Sequence, residues 1–390
     1  MPDLSAALAQ LKEKGLLRQR RTLAGPQGPH VEMDGKRYLA FCSNDYLGLA
    51  NDPRIIDIVC RAASRYGVGA GASPLICGHS LPHEKLEQAL ARFVGCERAL
   101  HFSTGYMANI GVVQVLVGKG DAVFSDELNH ASLIDGVRLS NARTEIYSHG
   151  DMTHLEFSLA SSTAPRKLVV SDVVFSMDGD FAPVKKLVEL CDRYDAWLLL
   201  DDAHGFGVIG KQGRGALSHF GVESKNVIYM GTLGKAAGVA GAFLAGSADL
   251  VEWLLQTARS YIFTTAAPPM LAAGLLASLR LIETEENRRV RLHHLIDALK
   301  DGLKDLPWRL LPSDTAIQPL LIGDNDTAVG IMNALMDLGI WVPAIRPPTV
   351  PRGTARLRIS LSAGHSVEDV GRLVEALRAM TPKQVLEPAV

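Results

Sequence analysis

The stretch that decides the fold is NVIYMGTLGKAAG, residues 226–238. Its opening residues form a short apolar run, which predicts a buried strand. The glycines that follow break the chain into a loop, and this loop presents a single lysine, Lys235. An amine on a rigid loop beside a pocket can form a Schiff base with an aldehyde. Most lysines in glycine-rich turns are only surface charges, so this interpretation depends on what accompanies Lys235 elsewhere.

Similar apolar runs alternate with helical stretches from about residue 44 to about residue 280. The predicted strands are 99–102, 122–124, 167–171, 197–200, 227–230 and 242–245. Several of them are apolar without alternation, which is typical of strands covered by helices on both faces. The sequence therefore predicts an α/β fold with a mostly parallel central sheet. In such a sheet, ligands bind beyond the carboxyl ends of the strands.

The strand 197–200 is followed directly by DDAHG, residues 201–205. Buried carboxylates require a partner, and these two acids could cap a helix or form a structural ion pair. Alternatively, Asp201 could meet a protonated pyridine nitrogen and keep that ring a good electron sink. His204 could then donate to the phenolic oxygen of the same ring, although a histidine here is more often a satisfied loop residue.

Three other strand ends also carry polar residues. STGYMAN, residues 103–109, opens a helix whose first N–H groups could bind an anion, or could simply be capped by Ser103 or Thr104. His130 begins the helix after 122–124, and Ser176 lies in FSMDGD, residues 175–180. The residues predicted to share one rim of the sheet are Thr104, His130, Ser176, Asp201, His204 and Lys235.

The chain on either side of this region is predicted to form smaller units. The predicted elements are an amphipathic helix in 1–21, a hairpin of 31–33 and 37–41, strands at 317–322 and 357–361, and helices at 327–338 and 367–380. We therefore expect three parts: an N-terminal helix and hairpin (1–43), a large α/β domain that binds the ligand (44–280), and a small C-terminal α+β domain (281–390).

Composition excludes few classes but favours a cytoplasmic protein. The formal net charge of the 390 residues is -2, which gives no argument for nucleic acid or a membrane surface. The five cysteines contain no CxxC pair, which argues against a disulfide framework or a metal site. No apolar run reaches the length of a membrane span, and the N-terminus lacks the apolar core of a signal peptide.

Taken together, the strand-end motifs resemble those of a known enzyme family. DDAHG followed by GTLGK, residues 231–235, resembles the fold type I pyridoxal-phosphate enzymes and, more narrowly, the α-oxoamine synthases. SNDYLG (43–48), FSMDGD and GTARLR (353–358) extend the resemblance over nearly the whole chain. It implies an aspartate aminotransferase-like α/β fold with a smaller C-terminal α+β domain, and a PLP-dependent acyltransferase. The segment AIRPPTVP, residues 344–351, is most similar to the biotin-pathway branch of this family.

The resemblance also implies a role for each strand-end residue. Lys235 would bind pyridoxal 5'-phosphate covalently, with Asp201 at the pyridine nitrogen. His204 and Ser176 would address the phenolic oxygen, and His130 would stack on the ring. The implied phosphate contacts are Gly105, Tyr106 and Thr232, together with Thr264 and Thr265 of a neighbouring subunit in a homodimer. The implied substrate contacts are Arg18, Asn44, His130, Thr349 and Arg358.

The biotin-pathway branch implies a decarboxylative condensation of L-alanine with a pimeloyl thioester, either pimeloyl-CoA or pimeloyl-ACP. Lys235 would remove the Cα proton, His130 would assist at the thioester, and Arg358 would pair with the amino-acid carboxylate. The alternatives are another α-oxoamine synthase acting on glycine with an acetyl or succinyl thioester, and a non-catalytic partner or regulator. Related synthases often carry arginine where this chain has Pro74, which leaves acyl-chain selectivity open.

Overall fold

The computed structural model describes residues 3–13, 16–17 and 20–381. The strands are β1 (His30–Met33), β2 (Lys36–Ala40), β3 (Arg98–Phe102), β4 (Ala122–Asp126), β5 (Arg143–Tyr147), β6 (Lys167–Asp172), β7 (Trp197–Asp201), β8 (Val227–Thr232), β9 (Ala242–Gly246), β10 (Arg309–Leu310), β11 (Ile317–Gly323), β12 (Ile340–Trp341), β13 (Ala344–Ile345) and β14 (Ala355–Ser360). The helices are α1 (Leu4–Glu13), α2 (Pro53–Tyr66), α3 (Leu81–Val94), α4 (Gly105–Leu116), α5 (Ala131–Ser140), α6 (Met152–Ser161), α7 (Val184–Arg193), α8 (Ala216–Phe220), α9 (Ala248–Thr257), α10 (Arg259–Ile262), α11 (Pro269–Thr284), α12 (Glu286–Leu303), α13 (Asn325–Asp337) and α14 (Val367–Ala379).

A seven-stranded sheet of order β3-β9-β8-β7-β6-β4-β5 forms the centre of the molecule. Five neighbouring strands run parallel, in the spatial order β8, β7, β6, β4 and β5. The strand β9 pairs antiparallel with both β3 and β8. Leu198 and Leu200 of β7 enter the apolar core on one face of the sheet, whereas Leu199 enters the core on the other face. Burial on both faces explains the uninterrupted apolar runs, so the predicted α/β fold with a mostly parallel central sheet is confirmed.

All six predicted strands of this sheet are present, each one or two residues longer than predicted. The edge strand β5 was not predicted. Its sequence RTEIY contains no apolar run, and Tyr147 is its one fully buried residue. Because the other four residues of β5 are not buried, neither a continuous apolar run nor a strict alternation marks this strand in the sequence.

Two smaller sheets accompany the central one. β10, β11, β14 and β13 form an antiparallel sheet, and β1, β2 and β12 form a three-stranded sheet. In the latter, Ile340 pairs in parallel with Leu39, so the predicted hairpin is joined by a strand from the far end of the chain. Within the described residues, the predicted N-terminal helix is present as α1 (Leu4–Glu13), which contains no buried residue, and residues 16–17 and 20–21 are not helical. The division into 1–43, 44–280 and 281–390 stays a prediction.

The segment 175–180 lies between the central sheet and the four-stranded sheet. The Arg356 guanidinium of β14 donates to Asp178 Oδ1 over 2.6 Å, and Ser313 Oγ donates to the carbonyl of Gly179 over 2.8 Å. These contacts bring β14 to the carboxyl ends of the central strands. Residues that are far apart in the sequence therefore line one site.

Candidate active site

Lys235 lies on the loop that follows β8, and its Nζ is 2.8 Å from Nε2 of His204. The loop packs closely on the chain beneath it. Gly238 has a φ of 68°, and a Cβ added there would lie 2.5 Å from the backbone of Leu49 and Ala50, so a larger residue does not fit. Burial lowers the pKa of Lys235 to about 8, although the charge of Asp201 acts in the opposite direction. A substantial fraction of the amine is therefore neutral near physiological pH.

His204 connects Lys235 to a chain of hydrogen bonds. Its Nδ1 lies 2.6 Å from the hydroxyl of Tyr46, which donates in turn to Asn44 Oδ1 over 3.0 Å. Burial, followed by the charge of Lys235, holds the pKa of His204 well below its usual value, so the ring is neutral. When His204 carries its proton on Nδ1, it donates to the hydroxyl oxygen of Tyr46, and the Tyr46 hydroxyl remains free to donate to Asn44. Nε2 of His204 then accepts from Lys235.

Asp201 ends β7 in a buried position with a fixed orientation. Asn109 Nδ2 donates to its Oδ2 over 2.7 Å, and the backbone N–H of Ala203 donates to its Oδ1 over 3.0 Å. Among the residues that the structure describes, Asp201 forms no ion pair. A buried carboxylate held by neutral donors alone suits a cationic ligand such as a protonated ring nitrogen.

Asp202, next to it, has a structural role instead. It is fully buried, and its Oδ2 accepts from the hydroxyl of Tyr229 and from the backbone N–H of Ala216, each over 2.7 Å. Burial raises the pKa of this carboxyl to about 7. Of the two acids that the sequence left open, Asp201 therefore lies at the site, and Asp202 anchors the segment before α8.

His130 is the N-cap of α5 and is an exposed residue, although partial burial lowers the pKa of its ring. Ser132 Oγ lies 2.8 Å from Nδ1 of His130 and accepts from Asn109 Nδ2 over 2.9 Å, which ties the ring indirectly to Asp201. The backbone N–H of Ser132 also approaches this Nδ1, at 3.2 Å. Two donors on Nδ1 leave the proton of the neutral ring on Nε2. The backbone N–H of His130 donates to the buried Asp172 over 2.6 Å.

The start of α4 provides N–H donors suited to an anion, and Thr232 ends β8. Thr104 Oγ1 accepts from the backbone N–H of Met107 over 3.2 Å, so the capping role considered for it is present. Its cap leaves other N–H groups of the first turn, including that of Gly105, without a partner in the helix. The hydroxyl of Thr232 donates to the carbonyl of Gly241 over 3.2 Å. Tyr106 is exposed and its hydroxyl donates to Asp135.

Arg358 is a buried cation of β14. Its Nε donates to the carbonyl of Ser176 over 2.6 Å and its Nη1 to Ser360 Oγ over 2.8 Å. Both Nη atoms approach Asn44 Oδ1 at 3.4 Å. No carboxylate of the described chain lies within ion-pair distance of Arg358. Such a guanidinium is suited to the carboxylate of a ligand.

Not every expected site residue joins this cluster within one chain. Thr349 is exposed, and its backbone N–H donates to the carbonyl of Arg346 over 3.1 Å. Thr264 and Thr265 lie between α10 and α11, beside a cavity that Ser103 also lines. Arg18 lies outside the described residues.

Four residues of the site were not assigned a role from the sequence. Tyr46 and Asn109 lie within the motifs SNDYLG and STGYMAN, but no local pattern indicates their partners. Asp172 ends β6 as Asp201 ends β7, so the same strand-end argument could have identified it. Ser132 has no such signal, because its role depends on how α5 packs against α4.

Comparison with known proteins places these observations in a family. The profile of the family described as aminotransferase class I and II matches residues 36–377. The 8-amino-7-oxononanoate synthase of Herminiimonas arsenicoxydans is 61% identical over 96% of this chain and 98% of its own length. That of Aromatoleum aromaticum is 59% identical over 97% of this chain and 98% of its own length.

Solved structures agree with this similarity. Serine palmitoyltransferase from S. paucimobilis with bound PLP–myriocin has a TM-score of 0.90 and 32% identity, with 96% of each chain covered. The 8-amino-7-oxononanoate synthase from Francisella tularensis has a TM-score of 0.77 and 29% identity, with 88% of this chain and 97% of the other covered.

Proposed function

This chain belongs to the aminotransferase class I and II family, and we propose that it condenses L-alanine with a pimeloyl thioester, as an 8-amino-7-oxononanoate synthase does. It is a pyridoxal-phosphate-dependent transferase of the fold type I class. One observation carries the proposal for its chemistry: Lys235 and His204 lie 2.8 Å apart at the strand ends that also present Asp201. The names of the curated relatives support the choice of substrates.

The residues at the strand ends fit pyridoxal phosphate as a donor set. A partly neutral amine suits the aldehyde, a buried carboxylate without a cation suits the ring nitrogen, and a helix N-terminus suits the phosphate. The ring of His130 suits stacking. The residues proposed to hold the cofactor are Lys235, Asp201, His204, Ser176, His130, Gly105, Tyr106 and Thr232, with Thr264 and Thr265 from a second subunit.

Bound pyridoxal phosphate supplies the electron sink that stabilises a carbanion at Cα of the amino acid. Lys235 Nζ, with its lowered pKa, takes the Cα proton of L-alanine. His204 accepts from this amine at Nε2, and Tyr46 holds the ring of His204 in place. Asp201 keeps the charge on the ring nitrogen, and Asn109 keeps the Asp201 carboxylate oriented.

The substrate is held by residues on the other side of the site. Arg358 pairs with the carboxylate of L-alanine, with Asn44 beside it. His130 donates from Nε2 to the thioester carbonyl as the new carbon–carbon bond forms and the thiol leaves. Thr349 and Arg18 are proposed as further substrate contacts. The products are 8-amino-7-oxononanoate, carbon dioxide and the free thiol of CoA or acyl-carrier protein.

We also propose that the enzyme is a cytoplasmic homodimer with its site at the subunit interface. Ile76 is 79% exposed and Phe263 is 70% exposed, close in sequence to Pro74 and Thr264, which line the same cavity. Apolar side chains grouped near proposed phosphate ligands suit coverage by a second copy. In the described part of the chain, none of the helices is both long and apolar enough to cross a membrane.

The test is a substrate panel with the purified, PLP-loaded protein. L-Alanine and glycine are each assayed with pimeloyl, acetyl and succinyl thioesters, the pimeloyl group on both CoA and acyl-carrier protein. We expect turnover with L-alanine and a pimeloyl thioester, with release of carbon dioxide. Turnover confined to glycine with acetyl-CoA would contradict the proposed substrates and would indicate another α-oxoamine synthase. Cofactor binding without turnover would indicate a non-catalytic protein.

A further inference from the structure

His149, outside the site, bridges two carboxylates. Its Nδ1 lies 3.0 Å from Asp126 Oδ1, and its Nε2 lies 2.8 Å from Asp180 Oδ2. An ionised carboxylate only accepts, so both ring nitrogens donate and the ring is an imidazolium cation. The pKa of His149 is accordingly raised to about 10 by its hydrogen bonds to Asp126 and Asp180. The bridge is therefore present throughout the neutral range.

The Asp126 end of the bridge is fixed to the central sheet. Asp126 is the last residue of β4, and its side chain is 2% exposed. Its two oxygens also accept from the backbone N–H groups of Leu128, over 2.9 Å, and Gly150, over 3.0 Å. A carboxylate with so many fixed donors has little freedom to move.

The other end of the bridge holds the segment 175–180, here called the clamp loop. The backbone N–H of Phe175 donates to the carbonyl of Asp180 over 3.1 Å, and that of Gly179 donates to the carbonyl of Phe175 over 2.8 Å. The ring of Phe175 meets His149 edge to face, with 4.3 Å between ring centroids. His149 therefore contacts both ends of the clamp loop.

The clamp loop in turn positions Arg358. The carbonyl of Ser176 accepts from Arg358 Nε over 2.6 Å. Through Asp178 the loop also holds Arg356, two residues earlier in β14. A shift of the loop would therefore move the guanidinium that is proposed to bind the amino-acid carboxylate.

We propose that His149 is a positioning residue for amino-acid binding, which acts through Asp180 and the clamp loop on Arg358. The inference rests on the proposed function of Arg358 as the carboxylate clamp. Without the imidazolium, Asp126 and Asp180 face each other as like charges, and the loop is pushed away from the sheet. Without Asp180, the loop loses its ionic link to His149 and keeps only the ring contact of Phe175, while the pair of half-buried His149 and buried Asp126 stays intact.

The experiment measures the Kd of L-alanine for the PLP-loaded protein from the change in visible absorbance, without a thioester. We expect His149→Asn and Asp180→Ala each to weaken L-alanine binding about tenfold, and the double variant to be no weaker than either, because both cut one link. His30→Asn, which removes the 3.5 Å contact between His30 of β1 and Asp369 of α14, should leave the Kd unchanged.

Hydrogen exchange of the same loaded proteins provides a second readout. The amides of the clamp loop should exchange faster in both variants than in the unchanged protein, while those of β4 should not. If His149→Asn fails to fold, Asp180→Ala alone decides. An unchanged Kd in Asp180→Ala, or additive losses in the double variant, would overturn the inference.

Arg358→Lys separates this inference from the proposed function on which it rests. Weaker L-alanine binding in Arg358→Lys together with normal binding in Asp180→Ala would contradict the role of His149 and would still support Arg358 as the carboxylate-binding residue. Normal binding in Arg358→Lys would contradict both hypotheses, because Arg358 would then not bind the carboxylate of L-alanine.

Discussion

At the scale of single residues, Lys235 shows how one environment sets the reactivity of a common side chain. Burial lowers its pKa to about 8, and the nearby acids Asp201 and Asp172 keep that pKa from falling further. An amine with this balance is neutral often enough to attack an aldehyde and basic enough to take a proton. Burial is therefore what supports the neutral form of the amine, whose Nζ lies 2.8 Å from Nε2 of His204.

Cofactor uptake should therefore depend on pH through this amine. A raised pH deprotonates Lys235, so the rate at which the cofactor-free protein gains its visible absorbance band should increase with pH and level off above about pH 8. Below that value the neutral fraction falls about tenfold per pH unit. Stopped-flow absorbance with added pyridoxal phosphate measures this rate.

The Lys235→Ala variant is the control, because it keeps the loop and removes the amine. It should show neither the band nor activity, while its free energy of unfolding stays close to that of the unchanged protein. A band of normal size in Lys235→Ala, or a rate that does not change between pH 6 and 9, would contradict the assignment of Lys235.

At the scale of elements, the contact between α4 and α5 sets the orientation of Asp201, the proposed partner of the ring nitrogen. Asn109 of α4 holds both Asp201 and Ser132, and Ser132 of α5 holds His130. Gly136 allows the two helices to approach. A Cβ added there would lie 3.1 Å from the carbonyl of Asn109 and 3.3 Å from Cα of Ile110, both backbone atoms.

Gly136→Ala should therefore disturb the site from a distance. The added methyl group pushes α5 away from α4, which should lower the free energy of unfolding by about 1–3 kcal/mol. It should also reduce kcat, because the bond between Asn109 and Ser132 lengthens. Denaturant unfolding and steady-state kinetics measure the two effects.

Gly330→Ala is the matched control, since this helical glycine of α13 has open space around it. There alanine should stabilise the protein by about 0.5–1 kcal/mol and leave kcat unchanged. Equal stability and kinetics for the two variants would show that the approach of α4 and α5 at Gly136 is not needed.

At the scale of the whole molecule, the proposed site is incomplete in one chain. The helix N-terminus at Gly105 and Thr232 are the proposed phosphate contacts within one chain, whereas Thr264 and Thr265 lie on a segment beside the exposed Phe263. A second copy that covers Ile76 and Phe263 would bring its own threonines to this phosphate.

Mixed dimers test this arrangement. Lys235→Ala abolishes the amine of its own site, and a Thr264→Ala/Thr265→Ala chain lacks the phosphate contacts that it would give to its partner. Each variant alone should be inactive or weak at limiting pyridoxal phosphate. Mixed dimers should recover activity, because one of their two sites combines an intact Lys235 with intact threonines. Activity that stays at the average of the two variants would place the threonines outside the shared site.

The strands and their order along the chain could be predicted because burial on both faces leaves uninterrupted apolar runs, as in β7. The rim could be predicted as well, because the carboxyl ends of parallel strands share one edge of a sheet. Lys235, Asp201, His204 and His130 follow strands, and the structure places them near one another. β5 could not be predicted, because Tyr147 is its one buried residue and its sequence therefore contains no apolar run.

The sequence by itself thus determined the class of fold and the strand-end residues of the site, since both depend on local patterns of apolar and polar residues. Only the tertiary structure decided how these residues are oriented. The path from Lys235 through His204 and Tyr46 to Asn44 ends at Arg358, which is 314 positions from Asn44 in the chain. No local pattern encodes such a path, because hydrogen bonds between distant segments form only after the sheets have packed together.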